Sequence, residues 1–344
     1  MRYKNIRGKR VLLTGHDGFK GTWLCSILQK LDCEVIGISD FQSESREFFL
    51  STQASFHEKK IDISNFDSLS KVFLEFKPEI VIHMAAQPLV RLSYKDPLLT
   101  WHSNVIGTLN VLEICRSLKK IPEILIVTTD KVYKNNSWQW GYRENDELGG
   151  EDPYSASKSA SEILIKSYRK SYENLKNIIV VRGGNVIGGG DFSSDRLMPD
   201  LYRNSKISKS TTIRNPNATR PWQHVLDCLH GYLTVLEKHI SDKKGLSHEY
   251  NIGPDIHSNK TVLEFVKIVS KFNKIKYSIL EDKNNFKESS FLYLDSTRAI
   301  KECNWMPLFD IIQSIKMTCD WYFADENSRN NVFNQQLNLF LSND

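Results

Sequence analysis

The sequence predicts an α/β protein built on a doubly wound parallel sheet, with a smaller, discontinuous α/β lobe for substrate. Three observations lead there. Short unbroken apolar runs alternate with helix-length segments through the first half, a glycine-rich turn joins the first run to the first helix, and the rhythm loosens after Arg182. Strands that are apolar on both faces and separated by helices belong to a sheet covered on both sides.

Taken in order, Val11-Leu12-Leu13-Thr14 reads as a buried strand and Phe19 to Leu31 as a helix. Glu34 to Ile38 is the second strand, a third ends at Ile61, and Ile80-Val81-Ile82 is the fourth. Pro97 to Leu118 is a long helix, and Ile124 to Val127 is a fifth strand. A helix follows from Pro153, then a strand at Ile178 to Val181. Beyond it lie shorter elements, among them helices at Val225 to Lys238 and Val262 to Phe272, with Pro199, Pro216 and Pro221 breaking the region up. The expected division is a dinucleotide-binding domain over 1–182 and a substrate lobe mainly over 183–330, some of whose segments return to the first domain. An Asn/Gln-rich tail, 331–344, is expected to fray.

At 344 residues the chain exceeds the usual single-domain size, so one large two-lobed unit is expected. The net charge of +5 is mild and no block of like charges marks a nucleic-acid stripe. Six scattered cysteines without ligand-like spacing argue against a zinc site or disulfide frame and suit reduced thiols in the cytoplasm. After the basic start, the first apolar run is too short for a secretory leader, and nothing approaches the length of a membrane span.

Thr14-Gly15-His16-Asp17-Gly18-Phe19-Lys20-Gly21 lies between the first strand and its helix. Glycines at 15, 18 and 21 allow a tight turn and close approach of a pyrophosphate to backbone N–H groups at a helix start, as in Rossmann-like sheets. Asp40 ends the second strand, where a carboxylate accepts the ribose hydroxyls of NAD and repels the extra phosphate of NADP, with Arg46 close enough in sequence to weaken that argument. Asp62-Ile63 either brackets an adenine or, through Asp62, caps the helix near Phe66. Ala85-Ala86-Gln87 follows the fourth strand, small enough to lie against a cofactor or simply to pack tightly. Thr128-Thr129-Asp130-Lys131 ends the fifth, at the edge where open parallel sheets bind ligands.

Tyr154 and Lys158, four apart at the head of a helix, share one face. An ammonium near a phenol stabilises phenolate, lowering its pKa from about 10 and fitting it to take a proton from a sugar hydroxyl. The pair alone also describes many ordinary helix surfaces; the glycine turn before it gives it meaning. Downstream, Asn185, Arg196, Leu197, Arg220 and Trp222 are candidates for substrate. An arginine fork fits a diphosphate, while Trp222 either covers a base or packs in the core.

With these segments in order, the chain resembles the extended short-chain dehydrogenase/reductase family and, within it, nucleotide-sugar dehydratases of the CDP-hexose branch. The segments that carry the resemblance are TGHDGFKGTW (14–23), AAQPLVR (85–91), TTDKVY (128–133), WGYRE (140–144) and LGGEDPYSASK (148–158). GNVIGGGD (184–191), DRLMPD (195–200) and RPWQHV (220–225) extend it. The resemblance implies bound NAD, a homodimer, and loss of water from a CDP-sugar feeding deoxysugars of surface polysaccharide. It implies Gly15, Asp17, Gly18, Phe19, Gly21, Asp40, Asp62, Ile63, Ala85, Ala86, Gln87, Thr128, Tyr154 and Lys158 around NAD, with Gln87 also touching substrate. Thr129, Asp130, Lys131, Tyr154 and Lys158 are implied as catalytic, with Asp130 the acid and Lys131 either a base or a stabiliser of the enolate. Lys287-Glu288-Ser289-Ser290 departs from the pattern, as does Asp130-Lys131 from the Asp-Glu of dTDP-sugar enzymes. The competing readings are a nucleotide-sugar 4-epimerase and a non-catalytic NAD-binding protein.

Overall fold

The computed structural model describes residues 2–52, 57–242, 244–255, 258–280 and 291–342; the atypical 287–290 segment lies outside them. In chain order the first half runs β1 (Arg10–Thr14), α1 (Phe19–Lys30), β2 (Glu34–Ser39), α2 (Arg46–Ser51), β3 (His57–Lys60), α3 (Phe66–Phe76) and β4 (Ile80–His83). Then come α4 (Val90–Lys95), α5 (Pro97–Trp101), a π-helical turn (His102–Ile106), α6 (Gly107–Ser117), β5 (Glu123–Thr129), a 3-10 turn (Asp130–Val132), α7 (Pro153–Ser171) and β6 (Ile179–Gly183). The second half adds β7 (Asn185–Ile187), α8 (Leu197–Lys206), β8 (Thr211–Ile213), β9 (Thr219–His224), α9 (Val225–Ser241) and β10 (Glu249–Ile252). It closes with β11 (Asn259–Thr261), α10 (Val262–Phe272), β12 (Tyr277–Ile279), α11 (Thr297–Cys303), α12 (Ile311–Tyr322) and α13 (Arg329–Ser342).

The main sheet has seven parallel strands in the order β10-β6-β5-β4-β1-β2-β3. Successive residues of a strand point to opposite faces, and here both faces are dry. Val11 and Leu13 join one core, under α1, α9 and α12, while Leu12 joins the other, under α3, α6 and α7. Leu125 and Val127 divide from Ile124 and Ile126 in the same way, which is why these strands read as continuous apolar runs. β10, far along the chain, pairs with β6 and so lies in the same sheet as the first half. Two small sheets, β11-β9-β7 and β12-β8, build the other lobe.

As far as Ser342 the C-terminal segment is helical rather than frayed. Residues 329–342 form α13, with Phe333, Leu337 and Phe340 buried and Phe333 packed 4.3 Å from the Trp23 ring. Those three apolar residues recur at helical spacing among asparagines and glutamines, so one narrow face anchors an otherwise polar helix. The predicted 97–118 helix is continuous but widens into the π turn at 102–106. Among the described residues no helix is long and apolar enough to cross a membrane, and no His/Cys/Asp/Glu group could hold a metal. All six cysteines are free.

Candidate active site

A cavity of about 890 Å³ runs along the C-terminal edge of the main sheet, from the glycine turn to the small lobe. At one end Gly15 has φ +74°, and a Cβ there would sit 2.8 Å from the Ala85 backbone nitrogen. The turns after β1 and β4 therefore touch, and only glycine fits. Gly18 is the N-cap of α1 and offers no side-chain oxygen to the first-turn N–H groups, leaving them open to a ligand's anionic oxygens. Gly15, Asp17, Gly18, Phe19, Gly21, Asp40, Asp62, Ile63, Ala85, Ala86 and Gln87 all line this cavity.

Their roles within it differ. Asp40 is exposed and, among the described residues, accepts only a local bond from the Gln42 N–H at 3.0 Å. Asp17 is buried against Arg46 at 3.1 Å, and Arg46 is also paired with Glu58 at 3.0 Å and laid over the Phe41 ring at 3.5 Å. Two carboxylates thus occupy the one cation that sequence proximity offered to a ribose phosphate, which favours NAD over NADP. Asp62 does not cap the helix after it: it accepts from Ser64 N–H at 2.8 Å, and Asn65 caps α3 by accepting from Ser68 N–H. Gln87 is buried, with its amide spent on Thr100 (2.8 Å) and on the N–H and C=O of Leu89.

Thr128, Thr129, Lys131, Tyr154 and Lys158 meet in the middle of the cavity. The register aligns Thr128 with Arg182 and Thr129 with Gly183 across β5 and β6. Thr128 is committed below: its hydroxyl donates to Glu162 at 2.6 Å, and Glu162 is fully buried in an ion pair with Arg182. Arg182 also donates to the Tyr133 hydroxyl at 2.6 Å and the Glu144 carbonyl at 3.1 Å. α7 starts at the cavity wall, with Pro153 in its first turn and Asp152 capping Ser155 N–H. That start puts Tyr154 and Lys158 one turn apart facing β5.

The acid–base state of this pair differs from the expectation. Burial pushes the Tyr154 phenol up to about 12; the Thr129 hydroxyl bonded to it and the Arg196 charge pull down, while Asp130 and Asp152 push up. Burial lowers Lys158 to about 8, helped by the like charge of Lys20 and opposed by Glu162. The Lys158 ammonium donates to the Val127 carbonyl at 3.1 Å. Within the chain alone, loss of water outweighs the pull of Thr129 and Arg196 on the phenol. A further positive charge against the hydroxyl is what the site needs to make it a base.

Asp130 and Lys131 do not face the cavity together. Lys131 lines it, whereas Asp130 is fully buried at the start of the 3-10 turn. One Asp130 oxygen accepts from Thr129 (2.9 Å) and Lys131 (3.3 Å); the other has no partner. Asn185, Arg196, Leu197, Arg220 and Trp222 line the far end, with Arg196 ion-paired to Asp191 at 3.6 Å. Asn185 Oδ1 is buried and unpaired, a polar atom left for a ligand. Trp222 is largely spent in the core: its ring packs 4.3 Å from Phe265 and its N–H donates to the Lys260 carbonyl.

Several residues of the site were not singled out by sequence. Asn104, in the π turn, bonds the Gln87 backbone on both sides and donates to Ser157 Oγ at 2.9 Å, clamping the β4 turn to α7. Loop 192–196 arches between the lobes, held by Ser194 on Glu44 (2.5 and 2.9 Å) and by Asp195, at φ +60°, on Arg91 (2.7 Å). Lys20, quoted only as part of the glycine turn, lines the cavity.

The family described as "NAD dependent epimerase/dehydratase family" matches residues 11–253. The chain belongs to this family. It is 40% identical over 329 residues to a CDP-glucose 4,6-dehydratase of Salmonella typhimurium, covering 92% of this chain and 91% of that one. A dTDP-glucose 4,6-dehydratase of Haemophilus influenzae is 27% identical, covering 92% and 99%. A UDP-glucuronic acid 4-epimerase from Bacillus cereus, solved with UDP-glucuronic acid and NAD, superposes with TM-score 0.79 at 24% identity, over 91% of this chain and 98% of that one. A dTDP-glucose 4,6-dehydratase from Bacillus anthracis in complex with NAD gives 0.77 at 23% identity, over 94% and 99%. NAD is the family's cofactor and the cavity fits it: open N–H groups at α1, a carboxylate at Asp40 and a phenol–amine pair lie in one continuous space.

Proposed function

We propose that this protein is a CDP-glucose 4,6-dehydratase, removing water from CDP-D-glucose to give CDP-4-dehydro-6-deoxy-D-glucose. The reading rests on the 40% identical relative spanning nine-tenths of both chains, joined to a cavity that holds Thr129, Lys131, Tyr154 and Lys158 in contact range of one ligand. NAD, held along the cavity from the open N–H groups of α1 to the Tyr154–Lys158 pair, would supply a hydride acceptor that is regenerated within each turnover, so none would be consumed.

The chain's own groups handle the protons. The charge of Lys158 holds Tyr154 as a phenolate, the phenolate takes the C4 hydroxyl proton and becomes a phenol, and Thr129 donates to the C4 oxygen. The C4 ketone acidifies C5–H. Lys131, whose side chain lines the cavity at this point, accepts the C5 proton, and its charge then stabilises the enolate. Asp130, buried behind the cavity wall, must first take up a proton and turn free of Thr129 and Lys131 before it protonates the departing C6 hydroxyl, which then leaves as water. Arg196 and Arg220 bind the diphosphate, and Asn185 takes a substrate hydroxyl.

The experiment is incubation with CDP-glucose followed by mass spectrometry. A product lighter by one water supports the dehydratase; a product of unchanged mass with inverted C4 makes the enzyme an epimerase; no conversion refutes both. We further propose a cytoplasmic homodimer supplying deoxysugars for surface polysaccharide. α5 and α7 carry exposed Leu98, Trp101 and Ile163, the faces that would pair two copies.

A further inference from the structure

The glycine turn ends in a lysine whose amine the preceding chemistry does not use. Lys20 is the second residue of α1, and its side chain lines the cavity rather than bulk solvent. Its Nζ donates to the Tyr232 hydroxyl at 3.3 Å and sits 5.6 Å from the centre of that ring. The same hydroxyl lies against Gly183, 2.6 Å from where a Cβ would be, and Gly183 is the register partner of Thr129. The amine is therefore delivered beside the ends of β5 and β6, next to the phenol–amine pair and not at the pyrophosphate end.

Among the described residues no carboxylate comes within ion-pair distance of it. Asp130 and Asp191 act on it only through longer-range charge, as does Arg196 with the opposite sign. Burial lowers the amine's pKa first, and the Cys228 thiol beside it is itself pushed up by burial, so it remains neutral and cancels nothing. Lys158 feels Lys20 as a like charge. Two ammonium groups thus share one poorly solvated region, and a like-charge pair in such a place is costly unless a ligand gives it a purpose.

We propose that Lys20 sets the preference of the protein for the reduced over the oxidised dinucleotide. The inference rests on the reading that NAD occupies this cavity with its nicotinamide near Tyr154 and Lys158. An oxidised nicotinamide carries a positive charge and a reduced one does not. A fixed cation nearby penalises only the first, which weakens NAD+ binding, leaves NADH binding nearly untouched and makes the bound couple a stronger hydride acceptor. Two charges several ångströms apart at the effective dielectric of a protein interior shift an equilibrium by about tenfold or more. Tenfold in the ratio of dissociation constants is about 30 mV in the potential of a two-electron couple.

The test is a pair of titrations at pH 7, NAD+ by quenching of protein fluorescence and NADH by its own emission, for the wild type, Lys20→Met, Lys20→Gln and Lys20→Arg. The wild type should bind NADH more tightly than NAD+. In Lys20→Met and Lys20→Gln, Kd for NAD+ should fall about tenfold with Kd for NADH moving less than threefold, and Lys20→Arg should keep the wild-type ratio. If both constants move together in the neutral variants, Lys20 is merely a packing residue and the inference is overturned. An unmoved ratio overturns it too. A wild type that binds neither dinucleotide would instead refute the cofactor reading on which the inference stands. Retained NADH affinity certifies that a variant is folded.

Discussion

Glu162→Gln removes one charge from the buried pair beneath the active site and leaves the other. Glu162 accepts from Arg182 Nε at 2.8 Å and from Thr128 at 2.6 Å, and both ionic side chains are only 2% exposed. Uncompensated burial of a guanidinium costs about 3–5 kcal/mol. Unfolding entropy of about 2.1 cal/mol/K per residue amounts to roughly 0.7 kcal/mol/K for a chain of this length, so the melting temperature should fall by about 4–7 °C. Differential scanning calorimetry at pH 7 reads this directly. Removing both partners, Glu162→Leu with Arg182→Met, should recover at least half of the loss, because the stranded charge is gone. Glu162 also raises the Lys158 pKa, so Glu162→Gln should move the alkaline limb of the pH–rate profile downward. A drop under about 1 °C, or a double variant no better than the single, would refute the claim that this pair is an obligatory neutralising unit.

Tyr154→Phe should keep its dinucleotide and lose about 10²–10⁴-fold in kcat with CDP-glucose, measured with cofactor content checked by extraction. Lys158, lowered to about 8, is charged below that pH, so steps needing its cation should slow as pH rises through about 8. Its folded pKa lies below the usual 10.5, so the unfolded chain holds more protons between the two values. Stability from this group should therefore rise with pH across that window, and Lys158→Met should flatten the rise in urea titrations. Gly15→Ala, strained at φ +74° and pressed on Ala85, should purify with its dinucleotide largely lost, read by absorbance of the heat-released cofactor. Ile163→Glu should convert a dimer to monomer by light scattering with the fold intact by circular dichroism.

Much of the frame was legible because it rests on short-range rules. The alternation of β1, β4, β5 and β6 with their helices, the three glycines, and the shared face of Tyr154 and Lys158 follow from spacing alone. The glycine turn shows why: Gly15 is required by a local backbone angle and by the neighbouring turn, and both leave a mark in the sequence. Asp130 shows the opposite. Its position next to Lys131 suggested two side chains facing one crevice, but the 3-10 turn capped by Thr129 directs one inward and the other outward. The phenol's resting state was misjudged because helical spacing gives proximity and says nothing about desolvation. Arg91 and Glu44 were unreadable as pins on loop 192–196, since each meets a partner more than a hundred residues away. α13 hid its three anchors among amides.

The wide turn at 102–106 makes chain length itself a determinant of the site. It accommodates one residue beyond what a regular helix needs, and that surplus lets Asn104 reach the Gln87 backbone and Ser157 while Thr108, further on, still donates to the Asn104 carbonyl. Deleting any single residue between Trp101 and Gly107 would let the rod run straight. The turns on either side would keep their phase, because the surplus residue is absorbed within the wide turn, but the brace between the β4 turn and α7 would come undone. Variation among relatives should tolerate exchange of side chains at His102 or Ser103 far better than it tolerates a change in how many residues stand there.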